Sequence, residues 1–314
     1  MNPDVIAELT ATLPAPAETV LPPARQELRK VHLLAEIHST SARPVRKPRL
    51  RLAIATAGAL AIAAVITIHP WDRSAPVIEA APGVVAFLNR ASAAVGSAPA
   101  VRPDQFTYVE TNARYTEYEG HSHTLQPAMV WQDWLSADGS KPGLQFTDGA
   151  KRQDLPTNTD PQLYNPTYEY LRALPTDPGA LIHLIYAQTK GHGPDPDDEA
   201  FTTIGDLMIQ TIVPPKLAAA LFRAAERIPG VSVVGHTTDE LGRSAVAVGR
   251  VGNHNGLRTE WLFDPTTYAY LGVNQVATKA LPSDGLKPGD VTEATVIIRS
   301  GVVDNAGDLP GTTA

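Results

Sequence analysis

Cysteine is absent from all 314 residues. That excludes disulfides, thiolate metal sites and a cysteine nucleophile. A folded domain must then be held by its core alone, which a segment of about 230 residues can supply. Catalytic spacing is lacking as well: there is no G-x-S-x-G elbow, no H-E-x-x-H, no P-loop and no dinucleotide fingerprint. No internal repeat is visible.

Long apolar runs are scarce, and one dominates. Leu52 to Ile68 reads LAIATAGALAIAAVITI, every residue apolar or small. As a helix it spans roughly 25 Å, slightly short of a hydrocarbon core of about 30 Å. Leu50 and the stem of Arg51 extend it at one end, and Trp71 stands where an interfacial aromatic belongs at the other. Arg43, Arg46, Lys47, Arg49 and Arg51 crowd its N-terminal side, whereas His69, Pro70, Trp71 and Asp72 follow it with a single Arg73. The positive-inside rule makes this a transmembrane helix with the N-terminus cytoplasmic. A buried Ala-rich helix of a soluble domain would leave the five bases unexplained. A cleaved signal peptide would need a leader of about fifty residues, too long for that class.

Acid and base divide about the same point. Residues 1–51 carry 8 Lys+Arg against 5 Asp+Glu, net +3. That leaves 18 of the 26 bases and 28 of the 33 acids beyond it, net −10. An acidic outer region argues against nucleic acid or anionic headgroups as partners of its bulk charge. Anionic lipid and topology account for the basic run.

Before the span, residues 1–23 form a Pro-punctuated tail, and 24–37 (ARQELRKVHLLAEI) have helical composition with Leu28, Val31, His32 and Ala35 on one stripe. After it, Ala75–Pro82 is a linker and Gly83–Val95 an amphipathic helix with Val84, Phe87, Leu88 and Ala91 on one face. Phe106–Thr111 and Met129–Ser136 alternate as strands, and Asp138-Gly139 closes a hairpin into a strand holding Leu144 and Phe146. A helical tract follows. Tyr168–Leu174 stops at Pro175, Asp177-Pro178 opens a second helix, Asp198 starts a third, and Pro214-Pro215 a fourth running to Ile228. From Val231 the period returns to two, with turns at Leu241-Gly242, Asn255-Gly256 and Pro265-Thr266 and a last strand at 292–300. These residues predict an antiparallel meander.

Three clusters have chemical potential. His121 and His123, at i and i+2 with Glu117 and Glu119 upstream, have a usable metal spacing on a strand, although surface loops contain such pairs by chance. Asp195, Asp197, Asp198 and Glu199 offer oxygen ligands for calcium, but lack EF-hand spacing and equally suit an acidic helix N-terminus. Trp131, Trp134, Tyr164, Tyr168 and Tyr170 line either a ligand groove or a core. None is assigned as catalytic, cofactor-binding or metal-ligating, and no cofactor is expected.

The span at 50–68, Tyr170–Leu181 (YLRALPTDPGAL), Val213–Val231 (VPPKLAAALFRAAERIPGV) and Leu262–Leu271 (LFDPTTYAYL) together resemble a family of actinobacterial single-pass membrane proteins of uncharacterised function, often encoded beside extracytoplasmic-function sigma factors. The likeness covers most of 75–280, and the Pro-Pro helix followed by Ile-Pro-Gly-Val is its most specific part. The family has no established catalytic residues to carry over. Its members commonly have Gly after Asp-Pro-x-Thr; this chain has Tyr268, a departure read as affecting only a turn. The resemblance implies an anti-sigma or envelope-signalling role, although the zinc-binding His/Cys motif of the common anti-sigma domain is absent. A second likeness, architectural only, is to the half-barrel of lipoprotein carriers and of a periplasmic sensor acting on an anti-sigma factor.

The expected organisation is α+β: a cytoplasmic tail (1–49) with a short helix, a transmembrane helix (50–70), a linker (71–82), an extracytoplasmic antiparallel sheet with an inserted helical cluster (83–300), and a disordered tail (301–314). The expected protein sits in the cell membrane, single-pass, with its C-terminal domain extracytoplasmic. It is non-enzymatic and anti-sigma-like, meeting the lipid bilayer, a cytoplasmic sigma factor or other regulator, and an envelope ligand, with no nucleic acid. The alternative is a tethered lipid- or lipoprotein-binding domain; an envelope hydrolase would need a constellation assembled from distant residues.

Overall fold

The computed structural model describes residues 82–96, 101–119, 121–148 and 152–311. The expected cytoplasmic tail, transmembrane helix and most of the linker lie outside the described residues. Among the described residues, no helix is long and apolar enough to cross a membrane.

The chain runs α1 (Pro82–Ala94), β1 (Phe106–Glu119), β2 (Ser122–Leu125), β3 (Met129–Ser136), β4 (Gly143–Thr147) and β5 (Gln153–Leu155). Four helices follow: α2 (Tyr168–Ala173), α3 (Pro178–Gln188), α4 (Pro196–Gln210) and α5 (Pro215–Ala225). Then come β6 (Ser232–Thr238), β7 (Ser244–Val251), β8 (Leu257–Phe263), β9 (Tyr270–Ala277) and β10 (Val291–Val303). The ten strands form one antiparallel sheet in the order β5-β4-β3-β1-β10-β9-β8-β7-β6, with β2 paired to the far end of β1. First and last strands therefore meet at its centre, and α2–α5 form the inserted cluster. The α+β expectation holds for this region.

Local chemistry sets the helix starts. Thr167 caps α2 by accepting from the Tyr170 N–H, and Asp177 caps α3 by accepting from Ala180, with Pro178 next. Asp195 does the same for α4, accepting from the N–H groups of Asp197 and Asp198. This helix therefore begins at Pro196, not at Asp198 as expected, because Asp195-Pro196 repeats the cap-then-proline signature. Helix α5 ends at Ala225, short of Ile228; the chain tightens there, with Arg227 and Ile228 donating to Ala224 and Ala225.

Strand bounds match the expected ones at β3 and β7. β1 runs eight residues past the expected Thr111, since Asn112–Tyr115 pairs with β10 and Thr116–Glu119 with β2 despite their polar composition. β2 and β5 were not expected. Residues 301–311, expected to be a disordered tail, instead finish β10 and turn back across the sheet, because Val303 pairs with Phe106 and Pro310 packs on Gly301. Residues 312–314 lie outside the described residues.

Register sorts side chains onto two faces. The helices cover one. There Trp261 stacks on Phe201 with centroids 3.9 Å apart, Phe222 meets Phe263 edge-on, and Val84, Leu88 and Ala91 of α1 are buried among them. Gly205 of α4 admits the indole: a Cβ there would lie 2.6 Å from Trp261 Nε1.

The other face has small residues at its β7 end and large aromatics at its β3 end. Ala245, Ala247, Leu262 and Val296 form a second buried cluster on it. Arg114 of β1 reaches across to Glu240 in the β6–β7 turn, Nη1 to Oε2 2.9 Å. β1 and β7 are four strand spacings apart, about 19 Å in a flat sheet, more than these side chains can bridge. The sheet therefore coils toward this face. Register shifts in the β1–β10, β10–β9, β6–β7 and β8–β9 ladders supply the extra twist.

Candidate functional site

The residues singled out from the sequence are placed as follows. His121 and His123 do not converge on a common point for a metal. Each puts Nδ1 on a backbone carbonyl of the β9–β10 loop, Ser283 O at 2.9 Å and Asp284 O at 3.1 Å. Glu117 accepts from Gln126 Nε2 at 2.8 Å. The pair latches the β1–β2 hairpin to the loop. Among the described residues no group of three or more His, Asp or Glu is arranged to hold a metal ion.

The acidic run surrounds an arginine. Arg250 of β7 is 3% exposed in its side chain and contacts Asp195 at 3.0 Å, Asp198 at 3.1 Å and Asp197 at 3.7 Å, while Nε donates to Pro229 O at 3.0 Å. Burial opposes ionisation of Asp195, but Arg250 and the Asn253 N–H outweigh it and hold its pKa below the ordinary value. Tyr186 donates to Asp197 at 2.7 Å, and burial together with that bond raises the phenol pKa. The cluster joins the start of α4 to β7 and the α5–β6 turn. Arg250 was missed in the sequence, where it is the one base inside SAVAVGRV.

The five aromatics separate. Trp131 and Trp134 alternate to opposite faces of β3, Tyr168 is buried at the start of α2, and Tyr170 packs on the helical core and donates to Gln188 at 3.3 Å. Tyr164 is half-buried before α2. They do not line one groove.

Trp134 belongs to a different assembly, on the face away from the helices. The row Leu144–Trp134–Tyr108–Gly301 crosses β4, β3, β1 and β10. Tyr108 and Trp134 lie 4.9 Å apart, tilted by 49°. The Tyr108 hydroxyl donates to Glu110 at 2.8 Å and accepts from Gln132 Nε2 at 2.9 Å. Arg299 reaches the same Glu110 oxygen from Nε at 2.8 Å and Nη2 at 2.6 Å, its guanidinium 5.6 Å over the Tyr108 ring. Burial first, and Glu110 second, push the Tyr108 pKa up to about 12, so the phenol remains a fixed donor at neutral pH.

The C-terminal segment lies across this row. Arg102 Nη2 and Gln105 Nε2 donate to Asp304 at 2.7 and 2.8 Å. Asp308 N–H donates to Asn305 O at 3.2 Å, with Gly307 at φ 98°, so Asn305–Asp308 is a tight turn that needs glycine at its third position. Trp134 Nε1 then donates to Asp308 O at 2.6 Å, and Pro310 lies on Gly301, where a Cβ would be 2.5 Å from the ring. An aromatic pair, a directed indole N–H and a glycine notch thus hold a turned, proline-containing segment. Tyr108, Gly301 and Pro310 were missed; the Asp-Leu-Pro-Gly run was their only local signal.

No protein-family model matches the chain, and a search of curated proteins returns no match.

Proposed function

We propose that this protein is a single-pass, membrane-anchored, non-enzymatic component of envelope signalling or sigma-factor regulation, whose domain from residue 83 recognises a partner outside the membrane. The observation that carries the reading is an α+β domain starting at Pro82, with thirteen residues between it and the Arg-flanked apolar run that ends at Ile68. The resemblance to proteins encoded beside extracytoplasmic-function sigma factors supports the signalling half. The non-enzymatic half is supported by where the reactive groups are used. The histidines hold a loop, and the acidic run grips Arg250.

The deciding experiment is in-cell photocrosslinking from a probe at Leu34, followed by identification of the captured protein. Capture of a sigma factor or its regulator is expected. Capture of lipid alone, or of nothing, would overturn the sigma-factor reading and leave residues 1–49 as an anchor.

A second reading, a tethered lipid- or lipoprotein-binding domain, draws on the helices covering one face of a coiled antiparallel sheet. Against it, that face is filled by Trp261, Phe201, Phe222 and Phe263. Purified protein that carries no lipid and binds no apolar probe would remove it.

A further inference from the structure

The C-terminal segment is held in a manner unlike the core it covers. Its largest apolar side chain, Leu309, is 53% exposed, while its grip comes from one carbonyl, one proline ring and the half-buried Ala306. Beneath it Phe106, Tyr108, Trp134, Leu144 and Val303 are almost wholly buried. Leu309 therefore adds little to the grip. The segment uses contacts that another peptide with the same turn and a suitably placed proline can make: a backbone acceptor for an indole donor and a ring for a notch without a side chain. Asp304, six positions before Pro310, adds an anionic end for Arg102 and Gln105.

We propose that the Leu144–Trp134–Tyr108–Gly301 row is a recognition site for a proline-containing peptide of a partner protein that makes the same tight turn ahead of its proline, occupied in cis by Asp304–Gly311 until that peptide displaces it. The ligand carries an acidic residue about six positions ahead of the proline and offers the carbonyl two residues before it. Tyr108, fixed by Glu110, Arg299 and Gln132, shapes the aromatic floor. The proposal concerns this face alone and stands whether or not the chain is tethered to a membrane.

The test uses the chain, in detergent, ended after Val303, and a synthetic peptide spanning Asp304–Ala314. The readout is the indole N–H resonance of Trp134, assigned with Trp134→Phe. Saturable binding that shifts this resonance is expected. Gly301→Ala and a peptide with Pro310→Ala should each weaken it roughly tenfold, the effect of about 1.4 kcal/mol. The uncut chain should bind roughly tenfold less, its own segment being in place. A folded shortened chain that takes up no peptide overturns the proposal. Should the shortened chain fail to fold, hydrogen exchange of the Trp134 indole in the intact protein decides. Exchange faster than the β1 and β10 amides supports a displaceable segment, and exchange only with global unfolding overturns it.

Discussion

Arg250 and Asp195 stand 55 residues apart and form a pair closed from water, the guanidinium 3% and the carboxylate 7% exposed, in contact at 3.0 Å. Removing one partner of such a pair leaves the other a buried charge without its counter-ion, typically costing about 3–5 kcal/mol. Arg250→Met should therefore destabilise the domain by about that amount in urea unfolding. Asp195 contributes a second, pH-dependent signature. Its folded pKa is depressed, so its stabilisation is present above the ordinary aspartate range and is lost as pH falls through the folded value. Arg250→Met should flatten the acid limb of the stability profile, and an unchanged limb would mean that the arginine does not carry it.

Gly205 presents a test in which helix propensity and packing oppose one another. Alanine in a helix interior is favoured over glycine by about 1 kcal/mol. The new methyl would lie 2.6 Å from Nε1 and 3.2 Å from Cδ1 of Trp261, which is fully buried and stacked on Phe201. Overpacking of this sort costs about 1–3 kcal/mol. Gly205→Ala should lower the melting temperature, whereas Gly83→Ala, with nothing within 4 Å of the added atom, should leave it unchanged or slightly raised. A rise at Gly205 would show that the indole can yield.

Glu226 lies just past α5 with its Oε1 buried and unpartnered. Burial raises its pKa against the pull of Arg223 and Arg227, and the negative end of the helix dipole is also adverse to its charge. The folded state thus holds this proton more tightly than the unfolded chain. Stability from this group is full below the ordinary glutamate range and declines as pH rises through the raised folded value. Glu226→Gln should stabilise the protein at neutral pH, by at most about 1 kcal/mol, with the gain vanishing in acid. A gain that persists at low pH would point to packing as its source.

Much of the element order was legible because caps and periods are local. Asp177-Pro178 gives α3, and the alternation of SAVAVGRV gives β7 with its bounds. The same logic misplaced α4, since four acids close together offered several caps and it is Asp195 that accepts from the first-turn N–H groups. β1 was cut short because NARYTEYE has no apolar alternation; it is a strand through partners far along the chain. The Trp134 face was illegible for that reason. It requires β10 to pair with β1 and residue 301 to be glycine, and neither leaves a mark in the spacing around Trp134.

Tyr268 shows how a departure read as a turn detail reaches the core. It is the single non-glycine residue with positive φ among the described residues, at 59°, where the resembled family commonly has glycine. That backbone costs a side-chain-bearing residue about 1–2 kcal/mol. Its ring sits edge-on to Phe87 with centroids 5.3 Å apart, and its hydroxyl accepts from Arg90 at 3.4 Å, tying the β8–β9 turn to α1. Tyr268→Gly relieves the backbone and loses the ring, while Tyr268→Ala loses the ring and keeps the strain. Thermal unfolding should then rank wild type at or above Gly, and Gly above Ala by about 1 kcal/mol. If Ala proves as stable as Gly, the left-handed conformation is not imposed on this position by the fold. If Gly exceeds the wild type, the ring's contact with Phe87 is worth less than the strain it accompanies.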